Sequence, residues 1–102
     1  MISSNVSSIL SHQTFMNNDA GNVANVNTDR YVPKNTVIEE ADSQGSTKAE
    51  TSKATDVGSE KSQTDLTKEI TDQMTIEKVT EANVVAIRTQ DKMLGSLLDL
   101  KA

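Results

Sequence analysis

The sequence predicts an all-α fold in which two long helices, one at each end of the chain, form an antiparallel coiled-coil-like hairpin joined by a disordered or extended central linker. Apolar residues recur at helical spacing near both ends of the 102-residue chain, whereas the middle has very few. A single Phe, a single Tyr and no Trp leave the chain short of the side chains that dominate buried cores. We therefore expect three segments: an N-terminal helix with an Asn-rich turn (1–33), a polar flexible linker (34–63) and a C-terminal helix (64–102).

The first helix is predicted from about Ser4 to about Asn25. Its apolar residues alternate at spacings of four and three, which is typical of a helix that packs on another helix. They are Ile2, Val6, Ile9, Met16, Ala20 and Val23, with Gln13 as the one polar member. The Asn-rich residues 17–22 are poor helix formers, so this half of the helix needs a partner.

The middle of the chain, from Lys34 to about Gln63, is rich in Ser, Thr, Glu, Asp, Lys and Ala. Its only bulky aliphatic residues are Val37, Ile38 and Val57. A segment with so little to bury cannot offset the entropy of ordering, so a disordered linker is predicted here.

The second helix is predicted to begin near a Ser-x-x-Asp pattern in which Ser62 acts as the cap. It contains no Pro and one Gly, so it could run for about 55 Å at the α-helical rise. Two apolar stripes follow it: Ile76, Val79, Ala86, Met93, Leu97 and Leu100 with the polar members Asn83 and Gln90, and Leu66, Ile70, Val84, Ile87, Leu94 and Leu98. One shorter helix covers one stripe at most, and we expect other subunits to cover the surplus at residues 93–100.

Composition and charge exclude several functional classes. The formal net charge of −5, with scattered Lys and Arg, disfavours nucleic acid as a partner. The chain has no Cys, and no apolar run reaches the roughly 20 residues needed to span a bilayer, so no membrane insertion is expected. The N-terminus lacks the pattern of a cleaved signal peptide.

No catalytic, cofactor-binding or metal-binding residues are predicted, and the chain is expected not to be an enzyme. His12 is the only histidine and has no other ligand type at ligating spacing. Four carboxylates lie at helical spacings, which most often indicates a solvated helix face; they are Glu69, Asp72, Glu77 and Glu81.

Two segments resemble the terminal motifs of the flagellar rod, hook and basal-body axial proteins. Residues 20–31, A-G-N-V-A-N-V-N-T-D-R-Y, are similar to the family pattern A-N-N-I-A-N-V-N-T-P-G-Y. Residues 81–83, E-A-N, and 87–101, I-R-T-Q-D-K-M-L-G-S-L-L-D-L-K, are similar to Y-E-A-N and a helix ending M-L-G-T-L-L-N-L-K. The resemblance covers roughly the first 33 and last 38 residues. It departs at Thr80, where the family has an aromatic residue, and at Asp29-Arg30, where the left-handed position of Pro-Gly falls on a costlier residue.

The resemblance implies a short, core-only structural subunit of the basal-body rod or hook that serves motility. Such a subunit would assemble into the axial tube through its paired terminal helices, with copies of itself or other axial proteins as partners. The flagellar export apparatus, a type III secretion route that needs no cleaved signal, would be a further partner. The residues expected at the assembly interface are Ile2, Val6, Ile9, Met16, Val23, Asn25, Asn27, Ala82, Asn83, Ile87, Met93, Leu94, Leu97, Leu98 and Leu100.

Two alternatives stay open at this point. The first is a helical-hairpin adaptor that binds the flagellar motor or the export apparatus. The second is the small junction protein between the membrane ring and the rod, which the Asn-Val-Asn-Thr turn at residues 25–28 disfavours.

Overall fold

A computed structural model describes residues 2–41 and 45–101 of the chain, with the Lys101 side chain excepted. The elements follow in the order α1 (Ile2–Ala24), β1 (Lys34–Glu40), β2 (Thr47–Lys53) and α2 (Leu66–Lys101). The molecule is elongated, with principal extents of 67 × 26 × 13 Å. The long axis corresponds to α2, because 36 helical residues span about 54 Å.

The two helices run antiparallel along one another. Near one end Asn83 Nδ2 donates to Ser8 Oγ at 3.0 Å, and near the other Asn22 Nδ2 donates to Glu69 Oε1 at 3.1 Å. The apolar core between them is small: among the described residues, Ile76 is the one buried aliphatic side chain, at 3% exposure. Helix pairing therefore depends on polar contacts as much as on hydrophobic burial.

The start of α2 differs from the predicted one. The helix begins at Leu66, and Asp65 acts as its cap because its Oδ1 accepts from Lys68 N at 3.2 Å. The predicted cap, Ser62, instead accepts from Thr64 N at 3.3 Å, one turn earlier.

The predicted all-α hairpin with a disordered or extended linker is wrong, because the middle of the chain forms a two-stranded antiparallel sheet. The architecture is helix–sheet–helix, and the strands pair in a register from Lys34↔Lys53 to Glu40↔Thr47. Its inward positions are largely β-branched, which suits a half-buried strand surface. Those inward residues are Thr36, Ile38, Thr47 and Ala49.

Polar side chains of α1 hold the sheet in place. Ser7 Oγ donates to the Thr47 carbonyl at 3.0 Å and accepts from Thr47 N at 2.9 Å, and Ser11 Oγ lies 3.0 Å from Thr47 Oγ1. About two helical turns beyond Ser11, Asn18 Nδ2 donates to Thr36 Oγ1 at 2.8 Å and to Thr51 Oγ1 at 2.9 Å. Hydrogen bonds thus attach the sheet to α1, because the strands have no apolar stripe that could do so. The composition shows only that apolar residues are few, and for this reason it indicated disorder.

The hairpin end of the sheet approaches α1 closely at Gly45. This residue has φ +80°, and a Cβ added to it would lie 2.6 Å from Ser4 Oγ. The left-handed backbone favours glycine here, whereas rotation of the Ser4 side chain would relieve the close contact.

The segment between α1 and β1 is held by the segment that precedes α2. Arg30 N donates to the Glu60 carbonyl at 2.9 Å, and Gln63 N donates to the Tyr31 carbonyl at 3.0 Å. Arg30 has φ 61°, so the left-handed position does fall on a residue with a Cβ.

Replacing Arg30 with glycine is expected to stabilise the fold by about 0.5–1 kcal/mol, because glycine relieves the left-handed strain at some cost in unfolded-chain entropy. The Arg30 side chain is exposed, so little packing is lost. The midpoint of urea unfolding, followed by circular dichroism, measures the effect. Asp29→Gly is the matched control, since Asp29 is not among the residues with positive φ, and it should destabilise the fold. A midpoint lowered equally by both substitutions would contradict the prediction.

Candidate assembly interface

The C-terminal part of α2 extends beyond the end of α1. Every residue from Asp91 to Leu100 is exposed. At about 100° per residue, the large apolar side chains of this part fall on one side of the helix and the polar residues on the other. We call the apolar side the apolar arc; it consists of Met93, Leu94, Leu97, Leu98 and Leu100.

A second candidate surface is an open groove of about 510 Å³ between α1 and α2. Its apolar floor is formed by Ile9 and Met16 of α1 and by Ile76 of α2, and its α2 rim carries Glu77 and Glu81. The groove occupies the stretch in which the two helices face each other, whereas the apolar arc lies beyond that stretch.

The predicted interface residues divide into three groups. Ile2, Val6, Asn27, Ala82 and the apolar arc are exposed and free to meet another chain. Ile9, Met16, Val23, Asn83 and Ile87 are half-buried, and Asn83 is bonded to Ser8 within the chain. Asn25 caps the end of α1, because its Nδ2 donates to the Gly21 carbonyl at 2.8 Å and its Oδ1 accepts from Thr28 Oγ1 at 2.9 Å. The role of all three groups in contacts between chains stays a prediction.

A buried polar junction centred on Asn22 joins all the elements except β2. Asn22 is fully buried. Its Nδ2 donates to the Lys34 carbonyl at 2.8 Å and to Glu69 Oε1 at 3.1 Å, and its Oδ1 accepts from Tyr31 OH and Lys34 N, both at 2.9 Å. Thr64 Oγ1 donates to the Asn22 carbonyl at 3.1 Å. The amide therefore satisfies donors and acceptors from the turn, β1 and α2 at once.

Two carboxyl groups lie beside this junction in nearly complete burial. Asp19 of α1 and Glu69 of α2 are each 1% exposed, and carboxyl oxygens of the two residues lie within 4.8 Å of each other. Burial, followed by the hydrogen bond to Glu69 and its negative charge, raises the pKa of Asp19 from 3.8 to about 7. The interpretation of Glu69 as part of a solvated face is therefore wrong, whereas Glu77 and Glu81 are exposed.

Asp72 and Lys68 of α2 complete the charges around this pair. Carboxylate oxygens of Asp19, Glu69 and Asp72 all lie within 4.8 Å of one another, a set that could hold a cation. The Lys68 ammonium already bonds Asp72 Oδ2 at 2.9 Å, and this contact raises the pKa of Lys68. A side chain of the protein thus provides the positive charge at the cluster.

The sequence signalled parts of this junction without showing its role. The sequence predicts an Asn-rich turn after the first helix, and the structure places Asn22 in an intramolecular hydrogen-bond network. Asp19 and Glu69 carried no sequence signal, since nothing in their spacing distinguishes a buried carboxylate from a solvated one.

Comparison with known proteins identifies the C-terminal part of the chain. Residues 59–100 match the family described as flagellar basal body rod FlgEFG protein C-terminal. No curated protein matches the chain. Within the described residues, no helix is long and apolar enough to cross a membrane. The match confirms the C-terminal half of the resemblance and includes nearly all of α2 with its apolar arc. This segment of the chain is therefore similar to the C-terminal segment of flagellar basal body rod proteins.

Proposed function

We propose that the chain is an assembling subunit of the flagellar rod or hook tube, in which the apolar arc of α2 binds neighbouring subunits. The observation that carries this proposal is the part of α2 that no other element of the chain covers. Residues 91–100 are exposed throughout, and half of them are large and apolar. An apolar surface of this kind on a soluble chain marks an interaction site.

The energetics of the monomer support assembly. With Ile76 as the one buried aliphatic residue in the described chain, the subunit has little hydrophobic stabilisation of its own. Each large apolar side chain that neighbours bury would contribute about 1.5–3 kcal/mol relative to its exposed state. Contacts between subunits would then supply stability that the monomer core does not.

The position of the sheet is compatible with this assembly. The sheet packs on α1 and leaves both the apolar arc and the α1–α2 groove uncovered. Other copies of the chain, other axial proteins of the basal body or both would bind these surfaces. Export through the flagellar type III route would deliver the subunit to the basal body.

A helical adaptor that binds the motor or the export apparatus is the second candidate function. The α1–α2 groove favours it, because an apolar floor with a rim of Glu77 and Glu81 is suited to an amphipathic helix that carries basic residues. The adaptor predicts a discrete complex outside the axial tube.

Recovery of the chain with purified hook–basal bodies tests the proposal. An epitope tag at Val57, which is 75% exposed, avoids the close contact at Gly45. Quantitative mass spectrometry and immuno-electron microscopy would then report the amount and position of the chain. Recovery in fixed ratio to other rod proteins is expected, and particles that retain those proteins but lack this chain would favour the adaptor instead.

A further inference from the structure

The carboxyl pair Asp19–Glu69 lies at the contact between α1 and α2, where both groups are 1% exposed. One oxygen of each group, Asp19 Oδ2 and Glu69 Oε2, is buried and has no hydrogen-bond partner among the described residues. Two ionised carboxylates in this arrangement would repel each other without solvent to screen them. One proton between them removes the repulsion and gives both oxygens a partner.

We propose that Asp19 and Glu69 share one proton when α1 is paired with α2, so that pairing of the terminal helices takes up a proton from solution. The two residues come from different helices and meet only in the folded chain. In the unfolded chain both are solvated and ionised at neutral pH. The shared proton is therefore bound only while the two helices are paired.

The charged groups around the pair are negative on balance, which favours binding of a proton. On α2, Asp72 adds a negative charge and Lys68 a positive one, and both are within electrostatic range of Asp19. On α1, Asn22 donates to Glu69 Oε1. The sheet reaches the junction through backbone groups of Lys34, whose own side chain is exposed. Three carboxylates thus face one ammonium, and uptake of one proton lowers this excess from two negative charges to one.

The sign of the pH dependence follows from the raised pKa of Asp19. Its value is about 7 in the folded chain against 3.8 as the ordinary value. Between these values the folded state holds a proton that the unfolded state does not. The contribution of this proton to the free energy of unfolding is fully present below pH 3.8 and is lost as the pH rises through about 7. Within this window the ratio of folded to unfolded chain falls by up to about tenfold per pH unit.

This inference deepens the proposed assembly function. Only the biological use of the proton uptake rests on that proposed function. If the subunit is exported and assembles, it would pair its helices more firmly in the more acidic of two compartments. The proton linkage itself belongs to the isolated chain, so failure of basal-body recovery would leave it standing.

Unfolding of the full-length chain at pH 5 to 8 and constant ionic strength tests the linkage, with helix content followed by circular dichroism. Asp19→Asn places a permanent N–H donor beside Glu69 and should abolish most of the pH dependence, with more folded chain than wild type at pH 8. Asp91→Asn removes an exposed carboxylate from α2 and should keep the wild-type pH dependence. The carboxyl ¹³C shift of Asp19 should titrate near pH 7.

Three results would overturn the proposal. The first is a pH dependence in Asp19→Asn that equals that of wild type. The second is titration of the Asp19 carboxyl below pH 5. The third is a gain in stability on adding Mg²⁺ or Ca²⁺ at pH 8 in wild type but not in Asp19→Asn, because a cation and not a proton would then join the carboxylates. Glu69→Gln repeats the test from the other helix if Asp19→Asn fails to fold.

Discussion

Replacing Asn22 with alanine is expected to destabilise the fold by about 3 kcal/mol, among the largest effects of any single change in this chain. The substitution leaves Tyr31 OH, Lys34 N and the Lys34 carbonyl without their partner at the junction. Each buried polar group left unsatisfied costs about 1–3 kcal/mol, with partial relief where water enters. For a chain with little apolar core, a loss of this size removes most of the folded population.

Urea unfolding followed by circular dichroism measures the loss, and Asn17→Ala is the matched control. Asn17 lies on the same helix and is exposed, so its replacement should change stability by less than about 0.5 kcal/mol. Fluorescence of Tyr31, the single tyrosine, gives a second signal that reports the junction directly. Equal stability of the two variants would show that the junction contributes nothing beyond helix propensity.

The two helices and the family match were within reach of sequence reasoning because both depend on local patterns. The heptad spacing of Ile2, Val6, Ile9 and Met16 specifies a helix that packs on another, whatever its partner. The M-L-G-S-L-L segment at residues 93–98 is part of the resemblance to the flagellar axial proteins, and it lies inside the matched residues 59–100. The left-handed position at Arg30 was predicted from the same resemblance, and the structure confirms it.

The sheet was not predicted because its attachment to α1 uses side chains that look like surface residues. Ser7, Ser11 and Asn18 bind Thr36, Thr47 and Thr51 across roughly 18 to 40 positions of sequence. Ser and Thr in a polar segment usually indicate disorder, and only the register of the two strands aligns them with the helix.

The buried carboxyl pair escaped prediction for a related reason. Asp19 and Glu69 lie about half of the chain length apart in sequence and meet only because α1 and α2 pair in one register. Acidic residues at helical spacing look alike whether solvated or buried. A long-range contact between polar residues leaves no periodic signal along either helix.

Replacing Leu97 with aspartate is expected to abolish most incorporation of the chain into basal bodies while leaving the monomer unchanged. Leu97 lies at the centre of the apolar arc and is 61% exposed, so the substitution removes little packing inside the chain. At a contact between subunits, the same change replaces buried apolar surface by an unpaired buried charge, which costs several kcal/mol. Recovery with purified hook–basal bodies should fall at least tenfold, which corresponds to about 1.4 kcal/mol of lost binding free energy.

Ser96→Asp is the matched control, because it adds the same charge one residue away on the polar side of α2. It should assemble nearly as wild type, and both variants should show the helix content of the parent chain as monomers. Loss of both variants from the particles would indicate that charge anywhere on this end of α2 is harmful, and recovery of both would show that the apolar arc makes no contact in the assembly. Loss of Leu97→Asp together with normal recovery of Ser96→Asp would show that incorporation depends on the apolar arc. The two variants add the same charge and differ only in the side of the helix on which it lies.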